Sequence, residues 1–434
     1  MGVYLKRTIL VYGIFAIILA LELLLGKTVG VEESKSIYLL YILPINAVLL
    51  AAAIRTDALG LLCAILAFLP FSREFFQVEI GVITFNPYTL GIIALSLVAF
   101  YRILFKGYKY FFRYYDLIII LIGVTFLIST IRSKTMLDSG FLAFHSIFIP
   151  VISYFVIKTM VRNEDEYRRC VIFLIGGISL FGIEALIRFV ATHERVSIFS
   201  MPFIGIATMS VTAIFYLAYS GWWKKVPGLL SLLINFGALF STLARLYFAS
   251  VVVSPVLYRL IRKGKGFFLM LLMITMTLIL TLWLSFYPGI FKSTHFEKEK
   301  GENTAARLMN INLWKEALHW RAFSYHEGIG NFASAPVFGV GLYKGKVYVT
   351  RHNFHVEWLE YGGIVGYLLY TGSFLLHFLS FSAYATFDRF IAINLLILLV
   401  ILSNGFTNGF MHGIMPYIAF VIIGFNEARR KIIK

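Results

Sequence analysis

FFLMLLMITMTLILTLWLSF, residues 267–286, runs for 20 residues without a charged side chain. At about 1.5 Å of rise per residue, a helix of that length crosses the roughly 30 Å hydrocarbon core of a bilayer. Immediately after it the chain changes character. From Pro288 to Val356 it is polar, and this interruption closes in RHNFHVEWLEYGGIVG, residues 351–366, where the next apolar run begins. Nearly all other polar chemistry is confined to short connectors, so the interruption is where a membrane protein of this sequence would carry its reaction.

Working outward, the same apolar character recurs from end to end. The runs are about 9–25, 37–54, 58–71, 80–99, 117–131, 141–157, 171–189, 201–222, 227–243, 246–260, 267–286, 358–381, 391–406 and 411–424. With 59% hydrophobic and 14% charged residues over 434 positions, the chain has too little polar surface for a soluble globule of its size; its mean hydropathy is +0.83. The expected fold is all-α: a polytopic integral membrane protein with about 12 to 14 spanning helices. A single membrane domain, 1–434, carries one loop subdomain, 288–356. The runs 58–71 and 246–260 are short and read as tilted, broken or paired segments.

Orientation follows from Lys and Arg, which accumulate in cytoplasmic connectors. If the N-terminus is cytoplasmic and all 14 runs cross, those connectors hold 22 of the 39 basic residues, the outer connectors and helix ends 8, and the long loop 9. Both termini are then cytoplasmic and the loop lies outside. The net charge of +17 reads as this bias plus attraction to anionic headgroups, with no call for nucleic acid. The two cysteines, Cys63 and Cys170, fall in or beside apolar runs and read as packing residues. The first run follows Lys6 and Arg7 like a signal peptide but lacks a small-residue cleavage site, so it reads as a retained helix.

Within the loop, 304–320 reads as an amphipathic helix with Leu308, Ile311, Leu313, Trp314, Ala317 and Leu318 on its apolar positions. Residues 336–342 form a turn-rich segment, and the glycines at 362, 363 and 366 suit close helix packing. His352 at a membrane boundary fits a general base near neutral pH, and Arg351 beside it offers a forked cation for phosphate oxygens; interfacial anchoring is the other reading of the same pair. Glu184 and Arg188, four apart in one run, read as a self-neutralising pair. Glu22 is interfacial or buried, and His145 and His412 read as packed or interfacial.

Four motifs in order carry a resemblance. His352-Asn353, nine residues, Gly363, two residues and Gly366 resembles the signature of bacterial O-antigen ligases, while Arg351, ten residues and Gly362 resembles the arginine–glycine motif of O-antigen polymerases. Residues 307–314, from Arg307 to Trp314, resemble that superfamily's arginine-to-tryptophan helix, and 336–341 its proline–glycine turn. Ser241 to Arg245 resembles its serine–arginine motif, but departs from it because the family more often has the two residues adjacent. The match covers about 235–366.

The resemblance implies a GT-C-like, metal-independent and cofactor-free glycosyltransferase. It takes a glycan from undecaprenyl pyrophosphate and transfers it to a sugar hydroxyl of the lipid A core, or, for a polymerase, to a second lipid-linked glycan. Arg245, Arg307 and Arg351 are then the pyrophosphate ligands and His352 the catalytic base, supported by Asn353, Glu360, Gly363 and Gly366. Residue chemistry is compatible: a departing pyrophosphate needs positive charge, which arginines supply, and the loop's five acidic residues are scattered with no DxD. A flippase or transporter, suggested by helix number and by a break at Pro44, has less use for such a loop. A protein O-glycosyltransferase of the same superfamily is a further alternative.

Overall fold

The computed structural model describes residues 58–71, 78–80, 83–85, 87–105, 110–192, 203–286, 311–342, 353–411 and 414–434. The first two apolar runs, with Glu22, lie outside the described residues. The remaining 12 runs each contain helix. In order these are α1 (Ala58–Phe68), α2 (Pro87–Phe105), α3 (Tyr114–Arg132), α4 (Met136–Ala143) leading through a π-helical turn (Phe144–Phe148) into α5 (Ile149–Met160), α6 (Glu164–Thr192), α7 (Phe203–Ser220), α8 (Val226–Thr242), α9 (Arg245–Arg262), α10 (Gly266–Phe286), the loop helix α11 (Ile311–Ser334), α12 (Phe354–Ala385), α13 (Arg389–Asn408) and α14 (Met415–Ile433). Eight helical segments among the described residues are long and apolar enough to cross a membrane. The protein is therefore a helical, membrane-embedded bundle.

Two expectations need correction. The run 80–99 is not one span: β1 (Val78–Ile80) and β2 (Ile83–Phe85) pair antiparallel, with Val78 opposite Phe85, and the helix starts only at Pro87. The β-branched Val78, Ile80, Ile83 and Thr84 favour the strands, and Pro87, with its φ preset and no N–H to lose, starts a helix well. The fold is thus helical with one short hairpin. The loop helix also overruns its expected end at Trp320, continuing to Ser334. No proline stands in its way before Pro336, and its buried residues Ala322 and Tyr325 pack with Leu284 of α10 and Val356 of α12. That burial offsets the roughly 1 kcal/mol that each interior glycine, Gly328 and Gly330, costs a helix.

The bundle has a charged end and a loop end. At the charged end α5 finishes and α3 begins, and the buried Lys158 and the Tyr154 hydroxyl both donate to the buried Asp116 carboxylate. Lys431 Nζ reaches the Lys158 carbonyl at 2.6 Å, Arg262 reaches the Ala385 carbonyl at 3.2 Å, and Arg429 bridges Glu164 and Asp388. Short connectors make successive helices antiparallel, so α10 and α12, which meet here through Phe267 N and Ser382 Oγ (2.9 Å), have Phe286 and Phe354 at the loop end.

Burial follows polarity around each helix. On α13 every residue from Phe390 to Leu402 is buried, as is every residue of α14 up to Ala428, as expected of helices apolar on all sides. Toward the charged end a polar chain ties four helices: Tyr216 donates to Asn394 (2.5 Å), Asn394 to Asn426 (2.8 Å), and Asn426 to His377 Nε2 (2.8 Å). On α10 the residues Phe268, Leu272, Met276, Ile279, Trp283 and Phe286 face outward, the stripe a lipid-facing helix requires. Glu184 and Arg188 do pair, at 3.0 Å, on α6. Cys63 and Cys170 are both buried and touch each other at 3.8 Å, across α1 and α6.

The Asp116–Lys158 pair has no solvent to fall back on. Asp116→Ala strands an ammonium in the bundle and is expected to cost on the order of 3–5 kcal/mol. Arg168→Ala, which breaks an exposed pair with Glu164, is expected to cost less than about 1 kcal/mol. Thermal midpoints of the detergent-solubilised variants check this; equal midpoints would show that the buried pair is not a principal support of the bundle.

Candidate active site

The site begins where the chain re-enters the bundle. Asn353 is extended (φ −158°, ψ 117°) and caps α12, its Oδ1 accepting from the N–H groups of His355 (2.9 Å) and Val356 (3.3 Å). An asparagine cap satisfies donors that a helix start leaves unpaired, which matters more in a bilayer than in water. Its Nδ2 donates to Thr281 Oγ1 of α10 at 2.8 Å. His355, two residues on, is fully buried between Thr277 Oγ1 (Nε2, 2.8 Å) and Tyr367 (Nδ1, 3.1 Å).

Between two and three turns from its start, α12 breaks. Gly363 sits at φ 65°, ψ −167°, a conformation available essentially only to glycine. A continuous helix would join Ile364 N to Glu360 O and Val365 N to Tyr361 O. Here Ile364 N donates instead to Pro336 O (2.9 Å) and Val365 N to Val337 O (3.2 Å), while Glu360 O accepts from Val340 N (2.8 Å) and Tyr361 O from Gly341 N (3.3 Å). The turn 336–341 thus occupies the break and takes over all four hydrogen-bonding groups. Gly339, at φ 72°, makes room for it, since a Cβ there would lie 2.5 Å from Tyr361 C and 2.6 Å from Glu360 O.

Two carboxylates line this entrance, both buried. Glu360 Oε1 accepts from Asn331 Nδ2 of the loop helix at 2.6 Å. Glu357 Oε2 accepts from the N–H groups of Phe410 (2.6 Å) and Met411 (2.8 Å), fixing the connection between α13 and α14. Tyr325 of the loop helix donates to Phe406 O at 3.3 Å. Burial pushes its phenol up to about 12, so it stays protonated and a donor throughout the physiological range.

Arg245 is the first residue of α9 and half-buried. It follows Leu243 in the left-handed region (φ 51°), the only such non-glycine among the described residues, which turns the chain sharply out of α8. Since the far end of α9 sits at the charged end through Arg262, Arg245 shares the loop end with Asn353 and Glu360. Ser241, its expected motif partner, donates instead to Ala238 O of its own helix at 2.7 Å.

The fold therefore brings together Asn353, Glu360, Gly363 and the turn 336–341, and sets Arg245 at the same end. Arg307, Arg351 and His352 lie outside the described residues, as does His412. His145 is half-buried and meets the Tyr417 hydroxyl at 3.2 Å. The three glycines differ in role from the expected packing set. Gly362 lies under Phe126, where a Cβ would come within 2.9 Å, and Gly363 makes the break, but Gly366 has ordinary room, its nearest such neighbour at 3.5 Å.

Sequence reading did not single out Asn331, His355, Thr277 or Thr281. The signal available was the spacing of Thr277, Thr281 and Ser285, three hydroxyls at i, i+4 and i+8 in an otherwise apolar span. Compared with protein-family models and with curated proteins, the chain has no match.

Gly363→Ala puts a methyl 2.3 Å from Val337 O in a backbone region closed to alanine, whereas Gly366→Ala meets only ordinary contacts. The first is expected to lower stability by at least about 2 kcal/mol, the second by under about 1 kcal/mol. Thermal unfolding in detergent measures both. Equal stability of the two variants would mean that the break does not depend on Gly363.

Proposed function

We propose that the protein is an O-antigen ligase-type glycosyltransferase of the bacterial inner membrane, moving a glycan from undecaprenyl pyrophosphate to a sugar hydroxyl of the lipid A core. In this reading the charged end faces the cytoplasm, since it gathers Lys158, Arg262, Arg429 and Lys431, and the loop end is periplasmic. The observation that carries the reading is the backbone exchange at Gly363. It joins two motifs, the proline–glycine turn and the His-Asn-x9-Gly-x2-Gly run, through residues 20 to 28 apart in sequence.

The chemistry runs as follows. Arg245, Arg307 and Arg351 hold the pyrophosphate and neutralise charge as its bond to the anomeric carbon breaks. His352 takes the proton of the attacking hydroxyl. Attack opposite the leaving group inverts the anomeric centre. Asn353 caps the helix that starts beside His352, and Glu360 is turned toward the loop helix by Asn331.

A repeat-unit polymerase is the second reading, favoured by the spacing of Arg351 and Gly362. A transporter is less well supported: its discontinuous helices offer unpaired backbone groups to substrate, whereas those freed at Gly363 are taken by the turn.

The test is purified protein with one undecaprenyl-linked glycan, with and without core lipopolysaccharide. Transfer only with core supports ligase, chain growth without core supports polymerase, and no transfer in either case removes the proposal. In the active assay His352→Ala is expected to lose about 100-fold or more, the usual range for a general base, at near-normal expression. Activity within a few-fold of wild type would remove His352 from the mechanism.

Metal dependence is a separate question, decided by charge balance. The loop carries nine Lys or Arg against five scattered acids, so cations of the protein replace the divalent ion that paired carboxylates would hold. Transfer by the reconstituted protein is expected to survive excess EDTA. Loss restored by Mg2+ or Mn2+ would instead make a carboxylate such as Glu357 or Glu360 a ligand.

A further inference from the structure

We propose that Thr281 and Thr277, inside the charge-free span α10, are positioning residues that fix how the chain enters α12 at Asn353, the residue directly after Arg351 and His352. The inference rests on the glycosyl-transfer reading for its chemistry but on hydrogen-bond bookkeeping for its geometry.

Each threonine hydroxyl has one proton, and its own helix takes it. Thr281 Oγ1 donates to Thr277 O at 2.7 Å and Thr277 Oγ1 to Met273 O at 2.8 Å. Toward α12 both oxygens can therefore only accept. Thr281 must receive the Asn353 amide N–H (2.8 Å), which leaves Asn353 Oδ1 for the N–H groups of His355 and Val356. Thr277 must receive the Nε2–H of His355 (2.8 Å), which leaves Nδ1 to accept from the Tyr367 hydroxyl. The amide orientation of Asn353 and the tautomer of His355 are both dictated by α10.

Asn353, His355 and Thr281 are all at most 1% exposed, so water cannot replace a missing partner. The network also joins the helix that leaves for the loop to the helix that returns from it. In the glycosyl-transfer reading the reacting group belongs to the residue before Asn353, one peptide bond from this cap. None of the four side chains needs to touch substrate.

The experiment uses the full-length protein and two readouts. Thr281→Val keeps the shape and removes the acceptor; Thr281→Ser restores it. With lipid-linked donor and acceptor, Thr281→Val is expected to lower kcat by about 10-fold or more, with the donor KM within about twofold, because misplacement by a fraction of an ångström acts on the chemical step. Thr281→Ser recovers most of the loss. The second readout is independent of activity: His352→Cys is labelled with a membrane-impermeant maleimide, the native Cys63 and Cys170 being buried. Adding Thr281→Val should change the labelling rate at least about threefold, and adding Thr281→Ser should leave it unchanged.

If neither kcat nor labelling responds to Thr281→Val, the positioning role is overturned whatever the enzyme does. If wild type transfers no glycan yet labelling responds, the glycosyl-transfer reading falls and the positioning stands. A loss of kcat that Thr281→Ser fails to restore would mark a packing defect and also overturn the proposal.

Discussion

A break in a membrane helix must find partners for its own backbone, because hydrocarbon offers none and each unpaired group costs several kcal/mol. That constraint organises the loop end of this protein. The φ of Gly363 ends the helical ladder of α12 between two and three turns from its start, and the turn 336–341 supplies two carbonyls and two amides in the register the ladder has lost. Glycine is required on both sides of the contact: Gly363 for the conformation, Gly339 for the approach. The loop helix is then held against the bundle by Asn331 on Glu360 and by the buried Ala322 and Tyr325. The turn 336–341 is thereby built into a spanning helix.

The opposite end meets the same problem with charge. Asp116, Lys158, Glu427 and Arg430 are buried there, and Arg429 links three helix termini through Glu164 and Asp388. Burial disfavours the ionised Asp388 carboxyl and raises its pKa, which its backbone donors and neighbouring arginines partly oppose. Buried ion pairs contribute little net stability, but removing one partner is costly. Their effect is therefore to specify which termini meet. Polar chemistry is segregated to the two ends and to a few interhelical hydrogen bonds, with the apolar stripe of α10 turned outward between them.

Much of this architecture was legible in the sequence, because crossing a bilayer demands long apolar runs and few competing patterns satisfy that demand. The runs from 58 onward all contain helix, and Glu184 with Arg188 forms the pair that their spacing suggested. What failed is equally physical. The hairpin at 78–85 is apolar enough to pass as part of a span, since hydropathy does not distinguish β-branched strand residues from helix. The loop helix outran Trp320 because its end is set by Pro336 and by packing on α10 and α12, which no local signal reports. Of the candidate site, Asn353, Gly363 and the turn from Pro336 were picked out by motif, and Glu360 by its chemistry beside them. Thr281 and Asn331, the partners of Asn353 and Glu360, were not, because a contact across helices has no fixed sequence spacing.

The choice of hydroxyls in α10 follows from the same accounting. A charged residue facing Asn353 would have to be desolvated at several kcal/mol, whereas a threonine satisfies its own proton on the preceding turn and presents a lone pair at little cost. An acceptor whose proton is already committed also discriminates: it takes the amide N–H of Asn353 and rejects the amide oxygen. Two such acceptors, one turn apart, set one amide and one imidazole in single orientations. Asn353 starts α12 at the loop end, the end that also holds Arg245, Glu360 and the inserted turn. Orientation at that point is imposed by a helix with no charged residue in its span, and a hydropathy profile would assign that helix to anchoring alone.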